Sequence, residues 1–256
     1  MNRSVRRNPE SILQQMEGDA PPPPPPPPPR NELAWAAWER LGAPRFVMAP
    51  MVDGSDLPFR AQCRARGTQL CFAPMVSAKA FAQYVGCKRT LAPMFDTEPG
   101  DRPLFFQLSG NEPEVCVRAA LLAAPYVDGV DLNLGCPQHI AARSRYGAFL
   151  MAEPLVVEAV VRALAAVLVP RGLIVSVKIR VLPDPAATVA FARMLEAAGC
   201  MCLTVHGRTK VSGVCAGCRL LLLSFCPFCS SHGLLARDRS SAGCVWGTRT
   251  GLRLRR

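Results

Sequence analysis

Six short apolar runs, separated by helix-length segments, limit what this chain can fold into more than any other feature. They lie at residues 46–49, 70–73, 104–108, 129–132, 173–179 and 202–205. Each is apolar on both faces, so each needs cover on both sides, as strands of a parallel sheet do. Helical patterns fill most of the gaps. Asn111 with Glu114 reads as a capping-box start for a helix running to about Ala124. Glu153-Pro154 opens an amphipathic stretch to about Val169, and Asp184 as N-cap, Pro185 at the first helical position and Gly199 as terminator bracket another. Strands alternating with helices predict a parallel α/β fold.

The polar residues narrow that class. Met51, Gln107, Asn133, Cys136, Lys178, Arg180, His206 and Arg208 all fall at, or just past, the end of an apolar run. In a (β/α)8 barrel the C-terminal strand ends build the active site. An open doubly wound sheet gathers ligands at one switch point, and no Gly-x-Gly-x-x-Gly follows any run here. The expected fold is therefore a TIM barrel. Residues 45–210 supply about six βα units, well short of the ~250 residues of a closed barrel, so the barrel is expected to be incomplete.

One corner stands out. Val130-Asp131-Leu132-Asn133-Leu134 leads into Gly135-Cys136-Pro137. Gly135 is permissive in φ and Pro137 lacks an N–H, so the ladder stops there and the Cys136 thiol leaves the sheet at a strand end. A thiol with an ordinary pKa near ~8.5 is mostly protonated at neutral pH and can donate a proton as well as attack. A buried structural cysteine is the competing reading. Lys178, between Val177 and Ile179 in an apolar strand, needs a partner.

These residues resemble the signature of the tRNA-dihydrouridine synthases. The corner, with Gly147-Ala148 after it, carries the likeness, and Ala49-Pro50-Met51-Val52, Gln107, Lys178-Ile179-Arg180 and Thr204-Val205-His206-Gly207-Arg208-Thr209 follow the same order. Tyr146-Gly147-Ala148-Phe149-Leu150 points to the eukaryotic branch that modifies positions 16 and 17 of the D-loop. The resemblance implies an FMN enzyme that reduces the C5=C6 bond of uridine in tRNA with NADPH or NADH. It implies Cys136 as proton donor, and Pro50, Met51, Val52, Gln107, Lys178 and His206 at the flavin. Lys178 would lie against the N1–C2 edge, and Pro50 to Val52 would pack against the ring system and bond it through backbone groups. Asn133, Arg180 and Arg208 are expected at the substrate. A dihydroorotate- or enoate-reducing FMN barrel is the alternative enzyme, against which the Asn-x-Gly-Cys-Pro corner argues. A catalytically impaired, C-terminally truncated or alternatively spliced form with residual RNA binding is the other alternative.

The flanks read differently. Residues 1–43 hold nine consecutive prolines, Pro21 to Pro29, and are expected to be a disordered leader. Such a run can also dock a partner's aromatic-lined groove. Within it, Leu33, Ala36, Ala37 and Leu41 have helical spacing, expected to cap the body. Residues 211–256 hold seven Arg and one Asp, more than half of the net charge of +11. The family's last two βα units, which carry its flavin-phosphate site, have no counterpart there, nor does its helical tRNA-binding domain. Cys215, Cys218, Cys226 and Cys229 form two Cys-x-x-Cys pairs that could hold zinc. The inter-pair spacing is short, so the expectation is no metal and an unstructured tail. No apolar run is long enough for a bilayer and no hydrophobic segment follows Arg3, Arg6 and Arg7. A cytoplasmic protein, with the nucleus as a second compartment, is expected, and twelve cysteines are then expected to stay reduced.

Overall fold

A computed structural model describes residues 30–88, 91, 94–210 and 220–224. The zinc-type cysteine pairs and the polyproline run lie outside the described residues.

All six expected strands are present: β1 (Val47–Met48), β2 (Leu70–Phe72), β4 (Leu104–Ser109), β5 (Gly129–Leu134), β6 (Ile174–Arg180) and β7 (Cys202–His206). They form one curled sheet in the order β1-β2-β4-β5-β6-β7, every pair parallel. The helices are α2 (Leu57–Ala65), α3 (Ala78–Lys88), α4 (Pro113–Ala123), α5 (His139–Arg143), α6 (Pro154–Leu168) and α7 (Pro185–Ala198). This is an incomplete (β/α)8 barrel. A two-residue strand, β3 (Val76–Ser77), continues β2 along β4 after a one-residue slip in register: Phe72 pairs Phe105, but Val76 pairs Leu108. Pro74 lies in the slip, where a missing N–H does no harm.

Register explains what faces where. Val130, Leu132, Leu134, Val175, Val177, Ile179, Leu203 and Val205 point outward into the main core, shared with Val157, Val161 and Leu164 of α6 and Phe191 and Leu195 of α7. The alternate residues face the barrel interior. Phe105, Gly129 and Ile174 share one interior row, and a Cβ on Gly129 would come within 2.7 Å of the Phe105 ring and 2.9 Å of the Ile174 carbonyl. Gly129 therefore lets Phe105 lie across the interior.

That apolar row is closed from below by α1 (Arg30–Arg40). Ala34, Ala37 and Trp38, at i, i+3 and i+4, pack on Leu70, Phe72, Phe105, Ile174 and Met201. The buried stripe thus runs through Ala34, and Ala36 faces outward. Arg40 ties the helix to the body by donating to the Gly172 carbonyl at 2.8 Å.

Helix starts follow their sequences with one correction. Asp184 accepts from the N–H groups of Ala186 and Ala187, and Gly199 ends α7 at φ +109°. Asn111 does not cap α4; the helix opens at Pro113 after Glu112, with no side-chain cap. Proline presets the first turn, and no cap bond is needed there.

In the tail, β8 (Leu220–Ser224) lies antiparallel on β7, with Cys202 opposite Ser224 and His206 opposite Leu220. A closed barrel would place a parallel strand at this edge.

Candidate active site

Asp131 is fully buried, on the interior face of β5. Its Oδ2 accepts a hydrogen bond from Gln107 Nε2 at 2.7 Å, across the strand pair in which the two residues are in register. Gln107 Oε1 in turn accepts from Asn133 Nδ2 at 2.9 Å. Asn133 Oδ1 then accepts from the backbone N–H groups of Gly135 and Cys136, each at 3.0 Å. A single hydrogen-bonded chain thus runs from a buried carboxylate to the loop that carries the thiol. Burial pushes the Asp131 carboxyl up to about 6, against the Gln107 hydrogen bond, the nearby Ser176 hydroxyl and the Lys178 ammonium, which lower it. Its Oδ1, and the hydroxyls of Ser176 and Thr204 on the neighbouring strands, have no well-formed hydrogen bond among the described residues.

The Cys136 loop is held from two further sides. Arg180 Nε donates to the Gly135 carbonyl at 2.6 Å, and Arg180 Nη1 donates to the Thr209 carbonyl at 3.1 Å. The Cys136 carbonyl accepts from Ala148 N–H at 2.9 Å. Gly147 makes this approach feasible: its φ is +64°, and a Cβ there would fall 2.6 Å from the Cys136 carbonyl oxygen. The Cys136 side of the loop stays half-buried. Tyr146 lies close enough for the Cys136 charge to reinforce burial in raising its phenol.

Cations line the same mouth. Lys178, in register with Asn133 and Thr204, is lowered from its ordinary value by burial, opposed by Asp131 and assisted by Arg180 and Arg208. Its Nζ is 3.9 Å from where a Cβ on Gly135 would sit. His206, the partner of Arg180 in register, is pushed down to about 4 by burial and by Lys178, Arg180 and Arg208. Arg208 Nε donates to His206 Nε2 at 3.0 Å, so the neutral ring carries its proton on Nδ1. The cluster suits a ligand that brings negative charge to a position beside Lys178.

The structure thus brings together Gln107, Asn133, Cys136, Lys178, Arg180, His206 and Arg208. Pro50, Met51 and Val52 lie on the loop after β1. The Met51 N–H donates to Ser55 Oγ at 3.0 Å, and the Met51 carbonyl accepts from that hydroxyl at 2.9 Å. Its backbone is therefore already engaged, and the half-exposed Met51 and exposed Val52 offer side chains instead. Ser55 is braced from below: its carbonyl accepts from Arg60 Nη1 at 2.6 Å. Arg60 is wholly buried and also donates to Asp101 Oδ2 at 2.8 Å and the Asp96 carbonyl at 2.6 Å.

Sequence reasoning gave no role to Asp131, Ser176, Thr204, Tyr146 or Arg60. Asp131 carried a readable signal, an acid between Val130 and Leu132 in a buried strand. Arg60 carried none, since a basic residue in an Arg-rich helix reads as a solvated face.

A parallel barrel with polar and cationic groups from four successive strands at its C-terminal mouth, and a thiol on a pinned strand-end loop, defines a barrel of enzyme type. The comparisons with known proteins make this specific. The sequence model of the dihydrouridine synthase (Dus) family matches residues 47–217, and the chain belongs to that family. It is 50% identical over 175 residues to the tRNA-dihydrouridine(16/17) synthase [NAD(P)(+)]-like protein of Rattus norvegicus, over 68% of this chain and 39% of that protein. The tRNA-dihydrouridine(16/17) synthase [NAD(P)(+)] of Schizosaccharomyces pombe is 40% identical over 175 residues, covering 68% of this chain and 42% of the relative. A Mus musculus relative named for positions 20a/20b is 39% identical over 163 residues, 64% of this chain and 49% of its own length. The chain spans about two fifths of the length of the 16/17 relatives.

Among the described residues no helix is long and apolar enough to cross a membrane. No group of three or more His, Cys, Asp or Glu among them is placed to hold a metal ion.

Proposed function

We propose that this chain carries the base-reducing site of a tRNA-dihydrouridine synthase acting on the D-loop at positions 16 and 17, in the cytoplasm and nucleus, with NADPH or NADH as reductant and FMN as cofactor. The observation that supports it best is the Cys136 loop, a half-buried thiol fixed by Asn133, Arg180 and Ala148 beside a cationic mouth.

The donor set fits a flavin. Two buried hydroxyls without a well-formed hydrogen bond, a partly desolvated ammonium at Lys178 and a neutral His206 surround the interior side of the mouth. A cation there balances the negative charge that a reduced flavin carries. Lys178 and His206 would hold it, with Met51 and Val52 supplying side-chain contact, while Gln107, buried and bonded at both ends of its amide to Asp131 and Asn133, would act from behind them. When bound, reduced FMN supplies a hydride to C6 of a uracil.

The remaining chemistry belongs to this chain. Adding a hydride to C6 places negative charge at C5 and O4, and C5 must then receive a proton. The Cys136 thiol supplies it as a general acid and is left as a thiolate. Arg180 holds the loop through the Gly135 carbonyl while the proton moves. A uracil reaches such a mouth only by leaving its base stack. Arg208 is suited to the phosphates that flank it, whereas Arg180, buried and bonded to the Gly135 and Thr209 carbonyls, serves the substrate by holding the loop.

The test uses this chain with FMN, NADPH or NADH and an unmodified tRNA transcript, with dihydrouridine at positions 16 and 17 read by mass spectrometry. Product should form, and Cys136→Ala should slow it by about 100-fold or more. Flavin-loaded protein that leaves uridine 16 and 17 unreduced would overturn the proposal. One observation favours a second reading, a catalytically impaired form: the outer edge of β7 carries antiparallel β8 instead of a further parallel strand. On that reading flavin affinity is low, and a titration followed at the flavin absorbance separates the two.

A further inference from the structure

We propose that Asp131 is a positioning residue: acting through Gln107 and Asn133, it sets which way both amides point and thereby fixes the Cys136 loop. The inference deepens the reading of Cys136 given above.

The argument is one of polarity. An ionised carboxylate only accepts hydrogen bonds. Gln107 must therefore turn its NH2 toward Asp131, at 2.7 Å, which leaves its oxygen facing Asn133. That oxygen can only accept, so Asn133 turns its own NH2 inward, at 2.9 Å. The Asn133 oxygen then faces the loop, where it takes the N–H groups of Gly135 and Cys136. Every link has one allowed direction because the first is acceptor-only. With an amide at position 131, Gln107 can reverse, Asn133 can follow, and an NH2 would then meet two N–H donors. The loop would lose both bonds and be pushed off.

Burial explains why the chain needs an anchor of this kind. Asp131 and Gln107 are essentially inaccessible to solvent, so water cannot correct a reversed amide. A buried carboxylate is costly to keep, and β5 keeps one without a cation bonded to it: its second oxygen has no well-formed hydrogen bond among the described residues. Packing gains nothing from that arrangement. Loop geometry does.

The two backbone amides give a readout that needs neither flavin nor tRNA. In the full chain, hydrogen exchange at Gly135 and Cys136 is compared with exchange in β6. Asp131→Asn should speed exchange at those two amides at least tenfold while β6 is unchanged. The double variant Asp131→Asn with Gln107→Glu moves the acceptor-only group up one link. The new amide at position 131 can donate to the new carboxylate at position 107, and that carboxylate still accepts from Asn133. Protection should return. A purely structural role would not be rescued by moving the charge. If Asp131→Asn leaves both amides as slow as before, or if the double variant fails to restore them, the proposal is overturned. Should Asp131→Asn lose protection throughout the sheet, Gln107→Met, which cuts the chain at its middle, decides by the same comparison. Loss throughout the sheet in both variants would assign the chain to stability alone and also overturn the proposal. Because the amides report on the loop and not on turnover, they answer independently of whether Cys136 donates a proton.

Discussion

Replacing Asp131 with Asn should change how stability depends on pH by a calculable amount. The carboxyl has an ordinary value of 3.8 and is pushed up to about 6 by burial. A raised carboxyl favours the protonated form in the folded state. Its contribution is therefore fully present below about 4 and is lost as pH rises through about 6. The difference of about 2 units corresponds to about 3 kcal/mol. The amide that replaces it cannot titrate and carries no such cost. Relative to wild type, the variant should gain about 3 kcal/mol between pH 4 and pH 7.5, set against about 1 kcal/mol for each buried hydrogen bond it weakens. Urea denaturation at several pH values measures this, because titrating groups that do not sense Asp131 cancel in the difference; Lys178, which does, is controlled by repeating the comparison in a Lys178→Met background. Stability curves that run parallel across the window would refute the argument, since Asp131 would then be no less solvated in the fold than in the unfolded chain. The wild type alone would hide the effect: His206, pushed down to about 4, loses stability as pH falls from 6.5 toward 4 and so opposes Asp131 over nearly the same range.

Further outcomes follow from the same structure. His206→Gln should become more stable relative to wild type as pH falls from about 6.5 to 4, read by the same urea titrations; a constant difference would mean the ring is not held neutral. Arg60→Ala should cost about 3 kcal/mol, because buried Asp101 would keep only Arg64 of its two cations and the Ser55 and Asp96 carbonyls would lose their guanidinium donor. The exposed pair Arg162–Glu158 should be worth under about 1 kcal/mol when Arg162 is replaced by Ala; equal losses at both sites would discount burial as the cause. Gly129→Ala should cost about 1–3 kcal/mol, since its methyl would meet the Phe105 ring and the Ile174 carbonyl. Calorimetry showing no loss would mean the interior row has room to give.

Much of this was open to view in the sequence, for reasons that can be stated. Strands apolar on both faces and strand-end polar residues announce a parallel barrel, because both follow from local period and position. The Cys136 loop was visible because Gly135 and Pro137 interrupt the ladder within three residues. What stayed hidden depends on register between distant strands. Asp131 and Gln107 are 24 residues apart, and only the pairing of β4 with β5 puts them opposite each other. Arg60 finds Asp101 from 41 residues away, inside a loop with no period of its own. Met51 looked available as a backbone partner because nothing local shows that Ser55 occupies it. Asn111 suited a cap by spacing, but Pro113 fixed the helix start two residues later.

The interior rows show why the chemistry belongs at one mouth. Phe105, Gly129 and Ile174 form an apolar row that α1 covers with Ala34, Ala37 and Trp38. The next row up holds Gln107, Asp131, Ser176 and Cys202, and above it stand Asn133, Lys178 and Thr204, then Arg180 and His206. Polarity and positive charge therefore rise along the strand direction, from a floor that excludes water to a mouth that can admit an anion. Asp131 sits where the two regimes meet. Lower down it would have no partner to orient; higher up, water would solvate it and the amides above could point either way. A carboxylate can dictate direction only where solvent is absent and hydrogen-bonding side chains begin, and β5 puts one at that level, just below the Gly135 turn.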